Sequence, residues 1–452
     1  QDLGSLRIFD PAHPDSIAVA AGAPWFMALF GRDSLLSSFM ALPLEPSLAL
    51  GTMRALARAQ GVKIDPLTEE EQGRILHETR LGADFPLSRG DGSIYYGSAD
   101  ATPLFVMLLG ELSRWGAPSG DVRALLPHAD RALDWILHHG DRDGDGFVEY
   151  GRMTEHGLLN QGWKDSHDGI NFADGRLAEA PIALCEVQGY VYAAYTGRAH
   201  LADAVGDADT AAVWTKRADE LKAAFNERFW LPDREWFAVG LDRDKTPIDA
   251  LTSNIGHCLW TGIVDPDKAA AVAAHLLSPA MFTGWGVRTL ASTMGAYNPM
   301  SYHNGSVWPH DNALIAAGLM RCGFVDEAQQ IAIAMLEAAS AFGGRLPELF
   351  CGFDRSDFAV PLPYPTSCSP QAWASAAPIQ LLRTLLRLDP DVPARRVWFS
   401  PTWPARYGPL TVDGIRIGYA AATAAIANGD ATVSGLPADV RVVAAPRPFA
   451  AD

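Results

Sequence analysis

Apolar residues recur at spacings of three and four along most of this chain, and the links between those stretches alternate short and long, a pattern that suits little else than stacked helix pairs. The periodicity predicts helices over Asp33–Leu42, Pro46–Gln60, Ala101–Trp115, Asp121–His139, Pro181–Ala204, Ala208–Phe229, Leu251–Thr261, Pro266–Leu277, Asp311–Arg321, Val325–Ser340 and Gln371–Leu388. The opening Gln1-Asp2-Leu3-Gly4-Ser5-Leu6 reads as the tail of a further helix, so an upstream N-terminal domain is expected, and the total is about twelve helices. Short links such as Leu42–Pro46 and Gly323 alternate with long ones, 61–100, 140–180, 282–310 and 342–370. In a ring of antiparallel helix pairs, alternate connections fall on one face, which is where a site would be built. After Leu388 the pattern changes to Pro-punctuated short runs, Arg396–Phe399, Leu410–Ile417 and Arg441–Ala444, with turn signals at Asp413-Gly414 and Asn428-Gly429-Asp430. The expectation is an all-α body over residues 1–390 with a small β-rich C-terminal appendage over 391–452.

Composition excludes several classes. With 48% apolar and 20% charged residues the chain has the make-up of a globular protein. The richest apolar stretches, such as Leu104–Leu109, soon meet charge and fall short of the roughly 20 residues that cross a bilayer. A formal net charge of -17 repels a phosphate backbone, so neither a membrane nor nucleic acid is an expected partner. The five cysteines, Cys185, Cys258, Cys322, Cys351 and Cys368, are scattered without CxxC pairs, which favours a reducing, cytoplasmic setting and no zinc site. Thirteen tryptophans hint at carbohydrate, because sugar rings stack on aromatic faces, although a core tryptophan is commoner.

The unusual residues gather in the long loops. Trp25-Phe26-Met27-Ala28-Leu29-Phe30-Gly31-Arg32-Asp33 places an Arg/Asp pair between an aromatic run and a helix start, where Asp33 serves equally well as a helix cap. In Asn160-Gln161-Gly162-Trp163-Lys164-Asp165-Ser166, the Trp163 ring can desolvate Asp165 and raise its pKa, as a proton donor near neutral pH requires; a plain turn is the alternative. Tyr302-His303-Asn304-Gly305-Ser306-Val307-Trp308-Pro309-His310-Asp311 offers rings and hydrogen-bonding groups suited to a polyhydroxylated ligand, or else a packed loop with Asp311 as a cap. Glu348, in Leu346-Pro347-Glu348-Leu349-Phe350, stands between apolar neighbours, a costly place for a charge unless it is used or paired. Glu186 and Gln188 put a carboxylate and an amide on a largely apolar helix, and Glu186 is a reserve acid or hydroxyl-binding group. Asp141-Arg142-Asp143-Gly144-Asp145-Gly146 opens like a calcium loop, but Arg152 stands where the closing acid belongs, and it reads as a turn. Phosphate-loop, HExxH and GxSxG motifs are missing, which weakens kinase, dehydrogenase, zinc-protease and serine-esterase readings.

Taken in order, Phe30-Gly31-Arg32-Asp33-Ser34, Gly162-Trp163-Lys164-Asp165-Ser166, Glu186-Val187-Gln188-Gly189-Tyr190, Tyr302-His303-Asn304-Gly305-Ser306-Val307-Trp308-Pro309 and Leu346-Pro347-Glu348-Leu349 resemble the bacterial amylo-α-1,6-glucosidases, the glucosidase part of glycogen debranching enzymes. The likeness covers nearly the whole chain and extends more distantly to glucoamylases. It implies an (α/α)6 toroid of the six-hairpin glycosidase kind and inverting hydrolysis of an α-glucosidic, α-1,6 bond. It further implies Asp165 as general acid, Glu348 as general base, and Arg32 and Asp33 on hydroxyls of the terminal sugar. A transferase-type second catalytic domain is not visible in this sequence.

On this reading Asp165 protonates the glycosidic oxygen while Glu348 activates a water on the opposite face, with the carboxyls about 6.5–9.5 Å apart. Trp25, Trp163 and Trp308 shape the sugar pocket, Tyr302, His303 and Lys164 supply hydrogen bonds, and no metal or organic cofactor is needed. The partner is an oligosaccharide or polysaccharide. Rival readings are a toroidal hydrolase of trehalose, a rhamnoside or a glycosylated small acid; an epimerase using His303 and His310; and a non-catalytic glycan-binding module.

Overall fold

The computed structural model describes residues 1–14, 16–80 and 94–448. Among them are twelve α-helices and several small sheets, an architecture compatible with a helical toroid. The helices are α1 (Asp2–Ser5), α2 (Gly31–Met40), α3 (Pro46–Arg58), α4 (Ala101–Arg114), α5 (Ser119–Trp135), α6 (Cys185–Asp203), α7 (Ala208–Arg228), α8 (Asn254–Thr261), α9 (Pro266–Leu276), α10 (Pro309–Arg321), α11 (Val325–Ala341) and α12 (Ala372–Leu386).

Helices α2, α4, α6, α8, α10 and α12 each pack on the next, and α12 returns to α2, so their contacts form a closed cycle. Burial follows from that position. Every residue of α2 and of α8 is buried, whereas α7 buries only Ala218, Leu221, Phe225 and Asn226. An inner helix needs apolar or small residues all round, and close approach explains its glycines: a Cβ on Gly318 of α10 would stand 2.6 Å from the Trp260 nitrogen of α8. Outer helices α3, α5, α7, α9 and α11 keep one apolar stripe and lean on their inner partners.

The expected boundaries move in ways that matter for the site. Helix α2 begins at Gly31, so Arg32 and Asp33 lie in its first turn and Asp33 caps nothing; Asp311 likewise lies inside α10, whose cap position is Trp308. Helix α6 starts at Cys185 and α8 at Asn254, both later than the apolar pattern places them, because the preceding residues are extended and pair with other loops. Each long link runs from the end of an outer helix to the start of an inner one, so these links gather at the N-terminal pole of the inner cycle. Of the 61–100 link, residues 81–93 lie outside the described residues.

The C-terminal region contains two three-stranded sheets, one pairing Leu388–Asp391, Arg396–Phe399 and Arg441–Val443, the other Leu410–Ile417, Ala420–Ala427 and Asp430–Ser434. Asn428 and Gly429 both have positive φ, 53° and 87°, and close the hairpin as their sequence suggests. Asp413-Gly414 makes a bulge within one strand instead of the expected turn, since pairing shifts register between Val412 and Ile415. Ile415, Ile417, Ala422 and Ala424 join the main core. All five cysteines are free, and no helix among the described residues is long and apolar enough to cross a membrane.

Candidate active site

The N-terminal pole of the inner helices collects most of the residues singled out above. Gly31 opens α2 where a Cβ would stand 2.2 Å from the Leu76 carbonyl oxygen, so only glycine lets the chain turn into the helix against that loop. The next residue, Arg32, is buried and forked. Its Nη1 donates to Asp100 Oδ2 at 2.8 Å and to the Gly162 carbonyl at 2.9 Å, and its Nη2 donates to Asp165 Oδ2 at 2.8 Å. Ser98 Oγ holds the other Asp100 oxygen at 2.9 Å. Asp33 lies beside Arg32, with Oδ2 4.0 Å from Nε, and takes a long hydrogen bond of 3.3 Å from Gln371 Nε2.

Asp165 keeps 28% of its side chain exposed, so the acid is held by Arg32 yet open on another edge. Burial pushes its pKa up; Arg32 pulls it back and the charge on Asp100 adds to the rise, leaving it above the usual carboxylate range. Asp33 is driven further, to about 7, first by burial, with Arg32 opposing and Asp165 and Glu348 reinforcing.

Glu348 is 2% exposed and is gripped differently. Tyr302 donates its hydroxyl to Oε1 at 2.6 Å, and the Cys368 amide donates to Oε2 at 2.9 Å, while the Glu348 amide returns a bond of 2.9 Å to the Cys368 carbonyl. Burial raises its pKa, the two donors lower it, and the Asp165 charge is near enough to raise it again. Asp165, Glu348, Asp33 and Tyr302 thus share one electrostatic neighbourhood, since Asp165 and Asp33 both also bear on the Tyr302 hydroxyl.

Behind the acid loop lies a wall of rings. Trp163 is buried, stacked on His257 at 5.9 Å and 10°, and edge-on to His303, Trp308 and His310. His310 stacks on Trp373 at 3.7 Å. Trp163 and Trp308 therefore shape the site from within the core and offer no open face to a sugar, contrary to their expected place as pocket walls, whereas Trp25 is 58% exposed. His303 accepts from Ser166 Oγ at 2.8 Å through Nδ1, and burial holds it well below its usual pKa, so a neutral imidazole anchors the residue after Asp165.

Three expected ligand residues are placed elsewhere. Lys164 is buried and donates from Nζ to the Thr289 carbonyl at 2.5 Å, away from solvent; burial lowers its pKa to about 8. Gln188 spends its amide on Val148 N, Val148 O and Leu184 O, which pins the turn into α6. Glu186 is fully buried among Asn254, His257 and Lys164, and burial raises its pKa. In α10, Asp311 Oδ1 pairs with His257 Nε2 at 2.8 Å, and His257 Nδ1 with the Tyr190 hydroxyl at 2.6 Å.

Asp100, Ser98, Glu78, Gln371 and Cys368 went unmarked in the sequence. An Asp before a helix is ordinary, and only the fold brings Asp100 and Gln371 beside α2. The Asp141, Asp143 and Asp145 oxygens do cluster closely enough for a cation, but Lys245 Nζ reaches Asp143 at 2.8 Å and Asp145 at 2.9 Å and also meets Glu149, so a tethered ammonium already pairs with two of the three.

Residues 104–345 match the sequence profile described as the mannosylglycerate hydrolase MGH1-like glycoside hydrolase domain, a span that contains Asp165 and stops just short of Glu348. No curated protein matches the sequence. Among solved structures, the GH63 mannosylglycerate hydrolase from Thermus thermophilus in complex with Tris and D-glycerate is similar at a TM-score of 0.59 and 14% identity, over 81% of this chain and 96% of that one. The same enzyme in complex with glucose gives 0.59 and 14%, over 81% and 95%. A structure described as a sialidase is similar at 0.52 and 13% identity, over 73% of this chain but only 30% of that one. At such identities the likeness speaks for the fold.

Proposed function

The chain belongs to the mannosylglycerate hydrolase MGH1-like glycoside hydrolase family, and from that premise we propose that it is an inverting hydrolase removing a terminal glycosyl residue, with Asp165 as general acid and Glu348 as general base. The observation carrying the proposal is the unlike treatment of these two carboxylates in one neighbourhood. Asp165 has an open edge, a cation as its hydrogen-bond donor and a pKa that burial raises, the direction a proton donor to the leaving oxygen needs. Glu348 is enclosed and oriented at both oxygens by neutral donors, Tyr302 and Cys368, which favour its ionised form against the burial that raises its pKa too. In the step, the Asp165 proton passes to the glycosidic oxygen as its bond to C1 breaks. Glu348 takes a proton from the water whose oxygen joins C1 from the opposite face, which inverts the anomeric centre. Acid–base chemistry suffices for this, without a metal or cofactor.

The closed cycle of inner helices is read here as an (α/α)6 toroid over about residues 1–390, with the β-rich 391–452 packed on it. For substrate, a terminal α-glucosyl residue, α-1,6-linked in an oligosaccharide or glycogen-like branch, stands first. Its support is the ordered set of motifs shared with amylo-α-1,6-glucosidases and a site where Asp33, Glu78, Asp100, Asp165 and Glu348 outnumber Arg32 and Arg80, which suits a neutral polyol. A second reading, a glycoside of a small hydroxy acid, is favoured by Arg80: it lies over the Phe26 and Phe30 rings at 5.8 and 5.7 Å and 2.6 Å from Glu78, where a carboxylate could compete for it. The family's description names such a substrate.

Proton NMR of the anomeric signals decides between them, with isomaltose, panose, glucosylglycerate and mannosylglycerate as substrates. Early β-glucose from isomaltose or panose is the expected outcome; early release from the glycerate compounds alone would replace the first reading with the second. Early α-anomer would mean retention and remove the water-activating role from Glu348. Undiminished hydrolysis by an Asp165→Asn variant would remove Asp165 from the acid role.

A further inference from the structure

Arg32 is buried, and all its hydrogen bonds go to Asp100, the Gly162 carbonyl and Asp165 instead of the sugar hydroxyls expected from the sequence. A general acid has to carry a proton, yet a guanidinium at hydrogen-bonding distance stabilises the ionised form. Something has to limit that effect. The group in position to do so is Asp100, which is wholly buried, oriented by the Ser98 hydroxyl, and bonded to the same guanidinium.

We infer that Asp100 is a positioning residue for the acid: by sharing Arg32, it holds the guanidinium fork in register with the Gly162–Asp165 loop and draws off enough of its charge for Asp165 to stay protonated toward neutral pH. The inference rests on the proposed acid role of Asp165. The other groups that face this acid are Asp33 on α2, Glu78 on the strand Glu78–Thr79, and Tyr302 and Glu348 from the opposite loops. Four of these five groups, counting Asp100, are carboxylates, and Arg32 lies against two of them, Asp33 and Asp100, as well as against Asp165, while Glu78 has Arg80. The direction of the Asp100 contribution at Asp165, upward, agrees with this account.

The two obvious variants break the same buried pair but change the charge at Asp165 oppositely. In Asp100→Asn, Arg32 is left to Asp165 alone, and the Asp165 midpoint falls by about one to two pH units. In Arg32→Gln, the cation is gone and the midpoint rises by a similar amount. Carbon-13 NMR of aspartate carboxyl-labelled protein, with the Asp165 signal assigned through its loss in Asp165→Asn, reads both midpoints without turnover. The alkaline limb of kcat/KM should move the same way in each variant. Shifts of opposite sign support the inference; shifts of the same sign, or none, overturn it, because a merely structural defect would loosen the site alike in both. The sign in Asp100→Asn is decisive, and should that variant misfold, Asp100→Glu, which keeps the charge, answers in its place: an Asp165 midpoint near that of the unaltered protein supports the inference, and a fall as large as that expected for Asp100→Asn overturns it. The titration also stands apart from the hydrolysis test above: full activity in Asp165→Asn would remove the acid role while leaving the titration to report on the tether.

Discussion

The two poles of the inner helix cycle carry opposite side chains. Where these helices begin, their first turns hold Asp33, Glu186 and Asp311, and Asp100 precedes α4; where they end, their last turns hold Arg114, Arg321 and Arg383. Each sign complements the partial charge of exposed amides or carbonyls at that end. The poles differ in how fully those charges are matched. Arg383 pairs with Asp389 at 2.8 Å and Glu111 at 3.3 Å and lies over the Phe39 and Trp115 rings, and Arg321 donates to the Trp260 and Thr261 carbonyls. At the other pole three acids, Asp33, Asp100 and Asp165, divide the single Arg32 among them; each pole keeps buried polar atoms without a hydrogen-bond partner, one oxygen each of Glu186 and Asp311 here and Arg383 Nη1 there. A pole whose charges are matched contributes rigidity. One whose acids exceed the nearby cations has raised pKa values, which is what proton transfer near neutral pH needs.

That contrast can be broken from either end. The largest effect is expected for Glu348→Gln, which should lower kcat by about 100- to 10,000-fold with unchanged circular dichroism; a smaller loss in steady-state assays would mean that another group activates the water. At the pole where Arg383 lies, Arg383→Met should leave the half-buried Glu111 and Asp389 without their main cation, lowering stability in urea unfolding by about 1–3 kcal/mol while activity per folded molecule holds. An activity loss without a stability loss there would erase the distinction between poles. Tyr302→Phe removes one charge-directed hydrogen bond from Glu348, so kcat/KM should fall about 10- to 100-fold, and urea unfolding should show a stability loss of about 1.5–3 kcal/mol.

The smallest effect is on stability against pH. Asp33 titrates at about 7 in the folded protein against about 3.9 unfolded. A raised folded pKa means that the folded state binds the proton more tightly, so the associated stability is present below about pH 4 and is lost as pH rises toward 7. The melting temperature of Asp33→Asn should therefore decline less between those limits than that of the unaltered protein. Parallel declines would show that Asp33 is ionised throughout.

Much of the helical body was legible because an apolar period of three to four survives on every outer helix and on most inner ones. The misreadings are local and instructive. Ala420–Ala427 went unrecognised as a strand because an alanine-rich run has no period-two signal; its neighbours on both sides supply the pairing. Asp413-Gly414 has turn chemistry, yet the partner strand makes it a bulge. Asp165 stood out beside the Trp163 ring, and Glu348 as a charge between apolar residues. Lys164 in the same loop and the Gln188 amide on a largely apolar helix drew equal notice, and local sequence could not tell that their partners are backbone groups of Thr289, Val148 and Leu184.

What the sequence determined by itself is the repeating helix pair, the alternation of link lengths and the set of acids in the long links, because periodicity, turn chemistry and the cost of a charge in an apolar stretch are all local. Only the tertiary structure decided which acids meet. Arg32 joins Asp100 across 68 positions and Asp165 across 133, and Glu348 meets Tyr302 across 46. Such encounters depend on closing the cycle of inner helices, a long-range event whose outcome no single window of sequence records.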